Sequence, residues 1–132
     1  MNKVQAIDHF WNSFGIPAYE ESTVPEKVPD GHGNMVPLKY PYITYNTATD
    51  SLGNVVLLTA SIWDRASSWA TVSLKAEEIA RALAEFGHYK IKLDTGYVWL
   101  VKGDPFARRM RDPDDQIRRV YLNVLAEFLT PY

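Results

Sequence analysis

Residues 117–129, IRRVYLNVLAEFL, decide how much of this chain is sheet. Two templates fit them. Ile117, Val120, Tyr121, Val124, Leu125, Phe128 and Leu129 recur at helical spacing, whereas Val120, Leu122, Val124, Ala126 and Phe128 alternate strictly, as in a strand. Local propensity is mixed as well: Val and Tyr favour a strand, and Leu, Ala and Glu favour a helix. Periodicity alone leaves both readings open.

The segments around it are clearer. Residues 89–94 and 97–102 read as a hairpin about Asp94-Thr95-Gly96, with Tyr89, Ile91, Tyr97, Trp99 and Val101 at alternating positions. Residues 67–86 carry the apolar stripe of a helix through Val72, Ala76, Ile79, Ala80, Leu83 and Phe86. Ser67 or Ser68 is suited to cap its start, and Gly87 to close its end. Residues 42–48 and 55–63 read as two strands joined by a turn at Asp50, Ser51, Gly53 and Asn54, which is short enough for an antiparallel pair. The second strand is apolar on both faces: Val56, Leu58, Ala60 and Ile62 on one, Val55, Leu57 and Trp63 on the other. That pattern predicts a central strand covered on both sides. Residues 3–14 predict a short helix with Val4, Ile7, Phe10, Trp11 and Phe14 on its apolar face, stopped by Gly15 and Pro17. Residues 15–41 hold five of the eight prolines and sustain no period, so they read as a long Pro-rich loop or arm.

Composition frames these elements as an α+β domain. The 132 residues suit one domain over 1–132, are 46% hydrophobic, and carry 14 Lys+Arg against 16 Asp+Glu for a net charge of -2. Without cysteine there is no disulfide framework, thiolate metal site or cysteine nucleophile. The near-neutral balance argues against a dedicated nucleic-acid binder. The longest apolar run, Val55–Leu58, is far too short to cross a membrane as a helix, and MNKVQAIDHFWNSFG lacks the pattern of a signal peptide. Assembly in the cytoplasm is the expectation.

Chemistry-bearing motifs are sparse. His9, His32 and His88 share no ligand spacing, so surface or capping roles are expected and no metal or cofactor is implied. There is no nucleophile elbow and no phosphate loop. The acidic pairs Glu20-Glu21, Glu77-Glu78 and Asp114-Asp115 read as solvated charge, because acid–base work needs carboxylates that converge on one pocket. One constellation remains, GDPFARRMRDPDDQIRR at 103–119. Arg108, Arg109, Arg111, Arg118 and Arg119 flank Asp112, Asp114 and Asp115 there, with Phe106 and Met110 as apolar anchors. The balanced signs favour ion pairing within the chain or between subunits over anion binding.

Taken in order, FWNSFGIPAYEESTVPE (10–26), YPYITYNTATD (40–50), WDRASSW (63–69) and KGDPFARRMRDPDDQIRRVYLNVLAEFLT (102–130) resemble the tail completion, or tail terminator-like, proteins of siphophages and prophages of Gram-positive hosts. The resemblance runs from about residue 7 to residue 129. Its most specific pieces are PYITY at 41–45 and the run from Gly103. The connection through KVPDGHGNMVPLK looks longer here than in the family pattern. The resemblance implies a mixed, mostly antiparallel sheet of about four to five strands with two packed helices, and it makes 117–129 a strand.

The role it implies is structural and non-catalytic. A homo-oligomeric ring, typically a hexamer, caps the tail tube, stops its polymerisation and offers a surface for head joining. The implied partners are other copies of the chain, the tail tube protein and head–tail connector proteins, with no membrane or specific nucleic acid, in a virion tail assembled in the host cytoplasm. Loops 18–40 and 103–116 are the expected contacts, with Tyr40, Tyr42, Phe106, Arg108, Arg109, Met110, Arg111, Asp114 and Asp115 as interface candidates, since aromatics, Met and Arg are enriched at interfaces. For Tyr42 and Phe106 the domain core is the competing role. Two other classes stay open: a different neck or tail-tube component, and a small cytoplasmic enzyme or anion-binding domain using His9, His88 or the 108–119 arginine cluster.

Overall fold

A computed structural model describes residues 1–46, 54–85 and 89–131. The segment 117–129 is a strand. Val120, Leu122, Val124, Ala126 and Phe128 are buried, while Tyr121, Leu125 and Leu129, which a helical stripe would have buried with them, point away from that face. Long strands on both sides settle the competition, because residues 117–127 pair with one neighbour and residues 119–122 and 124–129 with the other.

The elements are α1 (Lys3–Trp11), β1 (Ala18–Glu20), β2 (Lys27–Pro29), β3 (Met35–Pro37), β4 (Tyr42–Asn46), β5 (Val55–Arg65), α2 (Ala70–Ala84), β6 (Tyr89–Lys92), β7 (Tyr97–Met110) and β8 (Ile117–Leu129). Six strands form one sheet in the order β1-β4-β5-β8-β7-β6, and β2 and β3 form a separate two-stranded hairpin. Every neighbouring pair in the large sheet is antiparallel except β1 with β4. The α+β class is as expected, but the main sheet has six strands where four to five were expected.

Both helices pack on one face of this sheet. Ala6, Ile7, Phe10 and Trp11 of α1 and Val72, Ala76, Ile79 and Leu83 of α2 form a single core with Ile43, Val56, Leu58, Ile62, Leu100, Leu122, Val124 and Phe128. Each fully buried aliphatic side chain here contributes roughly 1.5–3 kcal/mol relative to exposure. The first helix is fixed by a capping box in which Asn2 and Gln5 each accept from the other's backbone N–H. Tyr45 donates to Asp8 at 2.6 Å and ties the helix to β4. Lys75 donates to the carbonyl of Phe14 at 2.6 Å and ties α2 to the turn after α1.

Several expectations shift. Val4 lies off the apolar face of α1 and is 60% exposed, and residues 12–14 are a 3-10 turn. The second helix starts at Ala70, after Ser68 accepts from the Ala70 N–H. The Pro-rich segment 15–41 contains β1 and the β2–β3 hairpin, whose three-residue strands are too short to leave a period in the sequence. Residues 103–110, read as loop, belong to β7. The end of the 42–48 strand, the turn residues Asp50, Ser51 and Gly53, and Phe86, Gly87 and His88 lie outside the described residues.

β7 is interrupted by a bulge. Lys102 pairs with Val124 and Ala107 with Leu122, so residues 103–106 stand opposite Asn123 alone. Asn123 donates to the carbonyl of Pro105 at 3.0 Å. Gly103 sits so close that an added Cβ would lie 2.8 Å from the Cβ of Asn123, so the crossing requires glycine.

Candidate functional site

The most consequential departure from expectation lies on the other sheet face. β5 is apolar on both sides, yet the helices cover only one of them. Val55 is 65% and Leu57 50% exposed, and Tyr97, Trp99, Leu125 and Leu129 are also exposed. The expectation that both faces of this strand are covered within the chain is therefore corrected. An antiparallel sheet with one solvated face normally turns polar residues outward. Here the outward rows read Val55–Glu127–Trp99 and Leu57–Leu125–Val101 across β5, β8 and β7, with Leu129 beside Tyr97.

The opposite end of the same face is finished with a network. Tyr42, Trp63, Arg119 and Met110 share one row. The Arg119 guanidinium lies 4.6 Å from the centre of the Trp63 ring and donates to the buried Ser61 hydroxyl at 2.9 Å. Trp63 donates its indole N–H to Thr44 at 2.8 Å. Tyr42 is half-buried beside Tyr40, with ring centres 5.2 Å apart. Burial first, and then the neighbouring Tyr40 hydroxyl, push the Tyr42 phenol up to about 12.

The arginine constellation divides between the two faces. Arg108 and Met110 point outward in register with Tyr121 and Arg119. Arg109 points to the helix side, where Trp69 lies between two cations, Arg109 at 4.8 Å and Arg118 at 5.4 Å from its ring. Arg118 also donates to the carbonyls of Asp115 at 2.6 Å and Ser67 at 3.0 Å. Together with Arg111, Asp112, Asp114 and Asp115 these side chains line a cleft of about 690 Å³. Asp114 pairs with Arg65 at 2.9 Å. The Gln116 N–H, and then Arg65, hold its carboxyl below the usual carboxylate range. The expected ion pairing thus occurs, but with a partner on β5 rather than among the arginines of the run. Phe106 is half-buried against the core.

The remaining candidates stay dispersed. His9 and His32 are exposed on α1 and the hairpin turn. Glu77 and Glu78 pair with Arg81 and Lys75 on the surface of α2, and Glu20 caps the Ser22 N–H. Among the described residues no three His, Asp or Glu side chains gather as metal ligands, and no helix is long and apolar enough to cross a membrane. Sequence reasoning passed over Trp69 as a cation platform, and Val55, Leu57, Leu125 and Leu129 as surface residues. Their signal is the two-sided apolar pattern of β5 and β8, which predicts cover from the chain for β5 and leaves helix and strand open for β8.

No family model matches the sequence, and no curated protein matches it. Among solved structures, a chain described as "Virion of native gene transfer agent (GTA) particle" is similar, with a TM-score of 0.58 and 22% sequence identity. The similarity covers 89% of this chain and 83% of that chain. It is a likeness of fold.

Proposed function

We propose that this chain is a structural component of a tailed phage or phage-like particle, acting as a tail terminator-like ring. The observation that carries the reading is the uncovered apolar sheet face. A monomer has no use for such a face, whereas a particle subunit covers it with a neighbour. The fold shared with a gene transfer agent virion chain supports the same reading, as does the order of segments that resembles tail completion proteins.

The mechanism is geometric. A head-to-tail contact uses two different surfaces of the subunit, and a ring results when successive rotations close. One rim of the ring then matches the tail tube, and the other presents the surface for head-connector proteins. Tube growth stops because the second rim does not repeat the first. Tyr40, Tyr42, Arg108, Met110 and Arg111 lie outward or near the outward rim and fit contacts of this kind, as do Asp114 and Asp115 in the 111–116 loop. The Trp69 cleft gives no comparable support to an anion-binding domain, because its lining sets Asp112, Asp114 and Asp115 beside Arg109, Arg111 and Arg118.

Deleting the gene in an inducible phage and imaging the lysate tests the role. Tails of uncontrolled length, separate from heads, are expected. Separate tails of normal length would indicate a different neck component. Normal tails joined to heads would remove the chain from tail completion altogether.

A further inference from the structure

The six-stranded sheet is open at both of its edges. β6 pairs only with Tyr97–Leu100 of β7, so among the described residues no strand lies beyond 101–110 on that side. The bulge at 103–106 leaves 107–110 as the regular part of this edge. β1, three residues long, forms the opposite edge. An unpaired edge is a template for a strand of another chain.

Alternation along the ladders tells which backbone groups each edge offers. The Phe128 N–H donates to Asn54, which turns the even residues of β8 toward β5 and the odd ones toward β7. Tyr121 and Arg119 thus bond to Arg108 and Met110, and the N–H and C=O of Arg109 point away from the sheet. On the other edge the Ile43 N–H donates to Pro17, so Tyr19 bonds to β4 while the backbone of Ala18 and Glu20 points away from the sheet.

We infer that 107–111 of one copy pairs antiparallel with β1 of the next, setting Arg109 opposite Glu20 and Arg108 opposite Glu21. Direction agrees, because β1 and β7 run oppositely within the sheet. A ring rotation that keeps strand direction and the helix-covered face therefore brings them together antiparallel. Backbone phase agrees, because Arg109 and Glu20 both aim their peptide groups at the edge. The faces agree as well. Arg109 and Glu20 stand on the helix side, in register with Val120 and Tyr45. Arg108, Met110 and Tyr19 stand on the outward face, where Glu21 accepts from Asn46 at 2.7 Å. Met110 then meets Tyr19.

Charge selects the partner. Among the described residues no carboxylate forms an ion pair with Arg108 or Arg109, and no cation forms one with Glu20 or Glu21. Asp112 and Asp115 lie in the loop past the strand end, and Asp114 is held by Arg65. Joining two β7 edges would set Arg against Arg, and joining two β1 edges Glu against Glu. The unlike edges attract on both faces, and a contact between unlike edges repeats head to tail. A groove of about 240 Å³ between α2 and β7, lined by Ser73, Ala76, Ala107 and Arg109, leaves room for the Glu20 side chain. The inference rests on the ring reading and names its subunit contact.

Tyr19 and Met110 form a non-hydrogen-bonded pair in this register, with Cα atoms about 4.5 Å apart, a separation that a disulfide spans. The chain has no cysteine of its own. The variant carrying Tyr19→Cys and Met110→Cys is expressed in the deletion strain, and purified particles are oxidised. A ladder of disulfide-linked multimers is expected, at a yield about tenfold above either single variant. Tyr19→Cys with Arg109→Cys places the thiols on opposite faces and should give no ladder. Arg108→Glu should lower incorporation into particles about tenfold, and Glu21→Arg in the same chain should restore it. Both positions are exposed, so melting of the purified variants should be unchanged.

Particles that contain the chain but yield no ladder, or an Arg108→Glu defect that Glu21→Arg leaves in place, overturn this contact and leave the ring standing. A tail end that lacks the chain in the wild-type particle removes the ring itself.

Discussion

At one end of the outward sheet face, Arg119 lies over Trp63 and donates to Ser61. At the other, Val55, Leu57 and Leu125 face outward uncovered. The same two strands, β5 and β8, build both ends. Trp63–Arg119 and Val55–Glu127 are eight pairs apart in one ladder, about 27 Å at the usual rise of a strand. The first end completes itself, because Trp63 and Arg119 both find hydrogen-bond partners and the Trp63 ring is covered by a guanidinium. The second end is left uncovered by the described residues. A sheet face is therefore not uniformly inside or outside; its cover can change along a single strand.

The largest test contrasts the outward face with the helix-covered one. Leu122→Ala, at a fully buried position on β8, should cost about 3 kcal/mol in chemical denaturation, the sum of lost transfer energy and a cavity. A loss under about 1 kcal/mol would mean that the core is far looser than its packing implies. Next is the self-completed end. Arg119→Ala leaves the buried Ser61 hydroxyl without its donor and uncovers Trp63, and should cost about 1–2 kcal/mol. Arg119→Lys should recover little of this, since an ammonium cannot lie flat on the indole while reaching the hydroxyl.

A smaller effect concerns pH at that same end. The folded phenol of Tyr42 is raised above its ordinary value of 10.0 to about 12. Its contribution is therefore complete below pH 10 and is lost as pH rises from 10 toward 12. Tyr42→Phe should flatten that part of the stability profile, measured by thermal melting across the alkaline range. An unchanged slope would place the loss in other groups.

The smallest effect on stability is expected at the uncovered end. Leu57→Lys should leave the melting free energy within about 0.5 kcal/mol, while light scattering across a concentration series should show weaker self-association. A large stability loss there would mean that the face is already covered in the monomer, which would erase the contrast between the two ends.

How much of this the sequence disclosed follows from what periodicity can report. The stripe of α2 gave its element and its buried face together, because one helix with one apolar stripe has one way to pack. β8 resisted, since Tyr121, Leu125 and Leu129 are apolar on the uncovered side and so mimic a helix. On β5, Val55, Leu57 and Trp63 point in the same way to a strand covered from both sides. A two-sided apolar strand says that both faces meet something, and periodicity cannot say whether that something belongs to the same chain. The hairpin at 27–37 was invisible for another reason: Pro29 and Pro37 look like loop residues, yet both sit at strand ends of a short two-stranded unit where a missing donor is tolerated. Among the site candidates, Tyr40 and Arg108 are exposed, whereas Phe106 is half-buried against the core.

The bulge in β7 carries an arithmetic of its own. Four residues stand against one, so the strand resumes three residues out of step. Three is odd, and a strand alternates by twos, so the two halves of β7 run in opposite phase. Tyr97, Trp99 and Val101 look outward as odd-numbered positions, and Arg108 and Met110 do so as even-numbered ones. Removing one residue from 103–106 would exchange Arg109 for Arg108 on the Trp69 side, whereas removing two would keep every later side chain on its present face. In this segment the chain stores which arginine faces which way as a parity, and a single deletion is a larger change than a double one.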